Sequence, residues 1–140
     1  MAVAHGGGGT RGASRRRGGG AQDAPHAAAM AELARRFGPV VQSTGLRRAL
    51  YSSDASNYRI PPAGVAYPRS NDEVAALVSA CVELGVPITS RGAGTSIAGN
   101  AIGAGLVIDF SRHLNRVLSI DPETRTAVVQ PGAVHATLQK

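Results

Sequence analysis

The sequence predicts an α/β (α+β) fold: a βαβ unit followed by a β-hairpin, preceded by helices and a disordered tail. Three observations carry that reading. An amphipathic stretch at residues 70–85 lies between two short apolar runs, GVAYP and VPITS. A loop stripped of large side chains, RGAGTSIAGN, follows the second run. Two further apolar runs, RVLSID and TAVVQPG, flank Asp121, Pro122, Glu123 and Thr124, which suit a tight turn.

Residues 1–23 are rich in glycine and arginine and nearly free of large apolar groups. Such a segment cannot bury enough surface to offset its ordering entropy, so disorder is expected. Its four arginines against Asp23 supply half of the chain's formal charge of +6. Arginines among glycines can track a phosphate backbone, but no aromatic residue is interleaved for base stacking. An inert extension is the favoured reading, and no nucleic-acid partner is expected. Residues 24–60 form an N-terminal helical segment: PHAAAMAELARRF has Met30, Leu33 and Phe37 at helical spacing, with Gly38 and Pro39 to end it. TGLRRALYSSD adds a short second helix.

Residues 61–140 make the domain. Pro61, Pro62 and Pro68 enforce extended chain around a strand at GVAYP. Ser70 and Glu73 form a capping box, with Asp72 and Glu73 at the positive end of the helix dipole. Val74, Leu77, Val78, Cys81 and Leu84 are predicted as one apolar stripe that Gly85 terminates. VPITS completes the βαβ unit, for which a right-handed crossover is expected. GLVIDF is a further strand, and AVHATLQK opens another helix.

Cys81 is the chain's one cysteine, so neither an internal disulfide nor a cysteine-rich zinc site can form within it. A buried, inert thiol is expected, since no histidine is local to activate it. No apolar run approaches the roughly 18 residues of a membrane span. The expected location is cytoplasmic, with room for a peripheral contact at the inner face of a membrane.

The glycine loop is where chemistry is expected. A dinucleotide fingerprint from Gly92 would need a sixth-place glycine where Ile97 stands, and a helix next, where GLVIDF follows. A Walker loop needs a lysine, and the first lysine is Lys140. What remains is a concave nest of small-residue amides that could hold an anion, with Thr95 and Ser96 hydroxyls and Arg91 as complement. A plain glycine-rich connection accounts equally well for the composition alone.

Several blocks, in order and at matching spacing, carry a resemblance: PRSNDEV, GVPITSRGAGTSIAG, VIDFSRHLNRV, IDPE and VQPG. They are similar to flavoproteins of the vanillyl-alcohol oxidase / p-cresol methylhydroxylase (PCMH) superfamily. Within it they most resemble the FAD-linked D-2-hydroxy-acid dehydrogenases, the D-lactate dehydrogenase and glycolate oxidase flavin-subunit group. The match covers about residues 50–140.

The resemblance implies the first subdomain of a PCMH-type FAD-binding domain. Its loop would hold the FAD pyrophosphate through Arg91, Gly92, Ala93, Gly94, Thr95, Ser96, Gly99 and Asn100, with Pro68 and Gly132 flanking. Relatives that attach flavin covalently in this loop have histidine where this chain has Thr95, so the FAD is expected to be non-covalent. The implied activity is oxidation of a 2-hydroxy acid of the D-lactate or glycolate type, with the electron acceptor unspecified. Another FAD-linked oxidase or reductase on the same scaffold stays open, as does a non-enzymatic anion- or nucleic-acid-binding module.

No residue of the chain is assigned a catalytic or metal-binding role. His113 and Asn115 are read as holding a loop, Asp109 as capping a turn, and Asp54 and Tyr58 receive no role. The resemblance places the second subdomain, the substrate-binding groups and, in some relatives, a fused iron–sulfur domain beyond Lys140. The chain is therefore expected to be an N-terminal piece of a larger oxidoreductase, inactive alone and with apolar surface exposed.

Overall fold

The computed structural model describes residues 23–139; the expected tail lies outside the described residues, apart from Asp23, which opens the first helix. Helix α1, Asp23–Phe37, turns Ala29, Met30 and Leu33 inward and ends in a short 3₁₀ turn over Gly38–Val40. A two-residue strand β1 (Val41–Gln42) and helix α2 (Gly45–Leu50) follow, the Thr44 hydroxyl accepting from the Arg47 amide as the N-cap. Then come β2 (Gly64–Ala66), α3 (Asn71–Glu83), β3 (Ile88–Arg91) and β4 (Leu106–Asp109). β5 (Val117–Asp121), β6 (Thr126–Val129) and α4 (His135–Leu138) complete the chain.

Strands β1 to β4 form one sheet in the order β1-β2-β4-β3. β2 and β3 both run parallel to β4, which inserts between them, so the two strands of the βαβ unit are parallel without being neighbours. The reason lies in β4. Its residues are all buried, and a strand covered on both faces belongs at the centre of a parallel sheet. Leu106, Ile108 and Phe110 pack with α1 and α3 in the core, while Val107 and its neighbour Val65, absent from that cluster, are equally buried.

Helix α3 begins and ends where its caps dictate. The Ser70 hydroxyl accepts from the Glu73 amide at 3.2 Å, and Glu73 reaches back one residue further than a strict capping box, accepting from the Arg69 amide at 2.7 Å. At the other end Gly85 adopts φ +64°, the Gly85 amide donates to the Val82 carbonyl and the Val86 amide to that of Cys81. These are the two hydrogen bonds of a Schellman termination. The buried stripe differs at one position from the predicted one: Ala80 is buried beside Leu77 and Cys81, whereas Val78 is 39% exposed. With Val74 and Leu84 also packed on the core, the stripe is rotated toward Ala80 rather than narrowed, on the side where Arg36 of α1 meets Glu83. Arg36 of α1 ties the two helices, reaching Glu83 at 2.7 and 2.9 Å and Glu32 at 2.6 Å. Arg35 and Arg36 together hold the Glu32 carboxyl down at about 2.

The hairpin β5–β6 is a sheet of its own, with residues 122–125 as its turn. The Asp121 carboxylate accepts from the amides of Glu123 and Thr124, and Arg125 takes the left-handed position at φ +55°. Leu118, Ile120, Val128 and Val129 remain exposed on it. No helix among the described residues is long and apolar enough to cross a membrane.

Candidate functional site

Because β2, β4 and β3 are parallel, their carboxyl ends share one edge, with Ala66 beside Ile108 and Arg91 beside Asp109. In open α/β sheets the crevice outside that edge is the usual ligand position. The glycine loop leaves this edge from β3, the 110–116 turn leaves it from β4, and the fully buried Pro68 follows β2 by two residues. Gly132 closes in from the far side of the hairpin. Its amide donates to the Leu114 carbonyl at 2.8 Å, and a Cβ there would lie 2.4 Å from the Phe110 carbonyl. A Cβ on Gly92 would have the Pro131 carbonyl as its nearest neighbour, at 3.9 Å. The fold thus brings Gly92 and Gly132 together from 40 positions apart, while Pro68 shares their edge with β4 in between.

Among the described residues, no group accepts a hydrogen bond from the amides of residues 92–97. For two of them, those of Gly92 and Thr95, the carbonyl directions give the reason. The Arg91 carbonyl accepts from the Phe110 amide at 2.9 Å, and the Gly94 carbonyl from the Ala55 amide at 3.1 Å. In a trans peptide the next N–H points opposite to the carbonyl. The Gly92 and Thr95 amides are therefore directed away from the protein groups that hold those carbonyls. Gly94 and Gly99 adopt φ +72° and +79°, the left-handed region where glycine is favoured. The Ser96 hydroxyl accepts from the amides of Ala98 and Asn100 at 3.3 and 3.1 Å, which closes the second turn and leaves its own proton to donate. The side chains of Thr95 and Asn100 are exposed.

Arg91 lies beneath this loop. Its Nη1 donates to the Ser53 and Ala101 carbonyls at 2.9 and 3.1 Å, and its guanidinium stands 5.0 Å from the centre of the Tyr51 ring. A Cβ on Gly94 would fall 2.3 Å from the Arg91 Nη2. The side chain expected to complement an anion thus also supports the loop from below.

Beside it is an open hollow of ≈ 330 Å³, lined by Arg47, Arg91 and Arg112, by Gly92 and Ala93, and by Tyr51, Asp109 and Ser111. Asp109 is buried and its charge is met locally: Tyr51 Oη donates to Oδ2 at 2.5 Å, and the Ser111 amide and hydroxyl donate to Oδ1 at 2.8 and 2.6 Å. Asp109 therefore caps the turn. Burial, and then the bond to Asp109, push the Tyr51 phenol far above its ordinary range, so it stays a donor. Three lining arginines against one internally satisfied carboxylate give the hollow a net positive charge that favours anions.

Asn115 Nδ2 donates to the Ser111 carbonyl at 2.8 Å and braces the same turn, whereas the His113 side chain is exposed. Cys81 is fully buried in the core, where desolvation pushes its thiol up. Among the described residues, no group of three or more His, Cys, Asp or Glu side chains is placed to hold a metal ion.

Three participants were not singled out for this role from sequence: Arg47, Arg112 and Asp54. The Asp54 carboxylate accepts from the Ala101 amide at the far end of the glycine loop at 3.2 Å. Its one local signal is the Asp-x-Ser pattern of an Asx turn, which says nothing about a contact 47 residues away.

A family model described as an FAD binding domain matches residues 62–140. The glycolate oxidase subunit GlcD of Bacillus subtilis (strain 168) is 42% identical over 90 residues, which is 62% of this chain and 19% of that protein. The D-2-hydroxyglutarate dehydrogenase of Escherichia coli (strain K12) is 33% identical over 96 residues, 66% of this chain and 9% of that protein. The chain thus spans less than a fifth of the length of either curated relative. Among solved structures, an alkyldihydroxyacetonephosphate synthase superposes with a TM-score of 0.65 at 26% identity, over 79% of this chain and 25% of that one. P-cresol methylhydroxylase superposes with a TM-score of 0.63 over 83% of this chain and 24% of its own, a likeness of fold at 17% identity.

Proposed function

The chain belongs to the FAD binding domain family, and from that premise we propose that it forms the pyrophosphate-holding part of a flavin-dependent oxidoreductase that oxidises a 2-hydroxy acid to the 2-oxo acid. The observation that supports it best is the run of amides at residues 92–97 with no acceptor among the described residues, at the carboxyl edge of a parallel sheet. These residues fit the group. Gly92, Ala93, Gly94, Thr95 and Ser96 would offer amides and hydroxyls to the two phosphates. Gly99 and Asn100 continue the loop, Pro68 and Gly132 flank it, and Arg91 holds it in shape while adding positive charge. Thr95 stands where relatives that attach flavin covalently in this loop have histidine, which favours non-covalent contacts here.

When bound, FAD supplies the acceptor of the substrate's hydride equivalent. The chain's own residues contribute binding and orientation. Oxidising a 2-hydroxy acid also needs a base for the hydroxyl proton and a cation for the carboxylate. His26, His113 and His135 are spread over α1, the 110–116 turn and α4, and we assign neither task to this chain. The relatives' names support the substrate class, since glycolate and D-2-hydroxyglutarate are both 2-hydroxy acids. One cysteine cannot supply the ligands of an iron–sulfur cluster, so none is proposed within these residues.

A second reading, a different oxidase on the same scaffold, draws on the 30%-identical xylooligosaccharide oxidase, which superposes with a TM-score of 0.58. One assay separates them: dye reduction by the complete oxidoreductase with D-lactate, glycolate, D-2-hydroxyglutarate or xylobiose. We expect reduction with at least one 2-hydroxy acid and none with the sugar, and no substrate-dependent reduction by residues 24–140 with added FAD. Turnover with the sugar alone would replace the first reading by the second. Turnover by residues 24–140 would show that the chemistry lies within this chain.

A further inference from the structure

The segment ahead of the domain, SSDASNYR at residues 52–59, makes more contacts with the glycine loop than any sequence pattern would require. It is a closed loop in its own right. Ser53 and Arg59 form an antiparallel bridge, the Ile60 amide donates to the Ser52 carbonyl at 2.8 Å, and Arg59 Nε donates to the buried Ser52 hydroxyl at 3.1 Å. From that base it meets the glycine loop at four places. The Ser53 carbonyl accepts from Arg91 at the loop's start. The Ala55 amide donates to the Gly94 carbonyl at its middle. The Tyr58 ring would lie 2.9 Å from a Cβ on Gly99. At the loop's far end Asp54 Oδ2 accepts from the Ala101 amide at 3.2 Å, while Oδ1 accepts from the Ser56 amide at 2.9 Å within the segment itself.

We propose that residues 52–59 act as a strap that sets the curvature of the glycine loop, with Asp54 as its positioning residue. The inference rests on the reading of that loop as the pyrophosphate site. Holding the Gly94 carbonyl toward the strap turns the Thr95 N–H to the opposite side, and anchoring Ala101 fixes where the loop returns to the sheet. A loop with this many glycines loses much backbone entropy on ordering. Ordering it before the ligand arrives removes that cost from binding. The strap therefore acts on affinity without touching the ligand through Asp54.

The test compares the full chain with its Asp54→Ala and Asp54→Asn variants by amide hydrogen exchange and by FAD titration followed through flavin fluorescence. Asp54→Ala is expected to speed exchange at Ala101 and neighbouring loop amides about tenfold and to weaken FAD binding about tenfold, with exchange at Leu106 and Ile108 unchanged. Asp54→Asn, which keeps a carbonyl oxygen to accept, should fall between. Unchanged loop exchange in Asp54→Ala would overturn the strap, and faster exchange with unchanged FAD affinity would overturn its positioning role. If Asp54→Ala fails to fold, Asp54→Asn carries the same comparison. If the wild type takes up no FAD, the proposed function fails, while the exchange rates still decide the strap.

Discussion

Gly94→Val is expected to lower FAD affinity by about two orders of magnitude and to strip flavin from the protein on purification. Gly94 sits at φ +72°, where a side chain costs about 1–2 kcal/mol and a β-branched one is worst placed. The new Cβ would meet Arg91 at 2.3 Å from Nη2 and 2.8 Å from Cζ, so the guanidinium must leave. Its departure breaks the bonds to the Ser53 and Ala101 carbonyls, each a charge-assisted contact of roughly 1.5–3 kcal/mol. Loop curvature is then lost together with the direction of the amides at 92–97. At about 1.4 kcal/mol per factor of ten, even part of this sum gives the stated effect. The check is the flavin-to-protein ratio and the FAD dissociation constant; an unchanged ratio would contradict the amide nest.

Gly105→Ala tests the sheet rather than the site, and should destabilise the fold by about 3 kcal/mol, near the upper end of overpacking costs. A Cβ at Gly105 would lie 1.9 Å from the Pro87 carbonyl oxygen and 2.7 Å from its carbon, both main-chain atoms that no rotamer change can move. That same oxygen accepts from the Leu106 amide at 2.8 Å, the first bond joining β4 to β3. On the other side the Gly105 carbonyl accepts from the Ala63 amide at 2.9 Å, so displacement of the β4 start disturbs both neighbours. With a 1 kcal/mol loss worth about 4 °C in a domain of this size, the unfolding midpoint should fall by roughly 12 °C. A thermal melt within about 3 °C of wild type would show that β4 enters the sheet differently.

Features set by local chemistry were readable from the sequence. The limits of α3 follow from Ser70, Glu73 and Gly85, each of which acts on backbone within a few residues. The hairpin turn follows in the same way from Asp121 and Pro122. Placements decided by distant partners were not readable. β4 inserts between the strands of the βαβ unit because it is apolar enough to be covered on both faces, a choice no spacing announces. β1 is two residues long and exists by pairing with β2. Val78 is left outward and Ala80 turned inward by the packing of α1, not by the period of α3 itself. At the site, the glycine loop itself was legible. The second use of Arg91 and the contacts of Asp54 were not, since their partners lie 38 and 47 residues away.

The central claim is that the amides of residues 92–97 receive the pyrophosphate of FAD, and amide-resolved NMR titration tests it most directly. ¹⁵N-labelled chain would be titrated separately with FAD, with ADP and with riboflavin, which carries no phosphate. The account predicts that FAD and ADP both shift the amides of Gly92, Ala93, Gly94, Thr95 and Ser96, with Leu106 and Ile108 unmoved, and that riboflavin leaves the loop unchanged. Loop shifts of equal size with riboflavin, or FAD-induced shifts confined to residues outside 91–100, would contradict it.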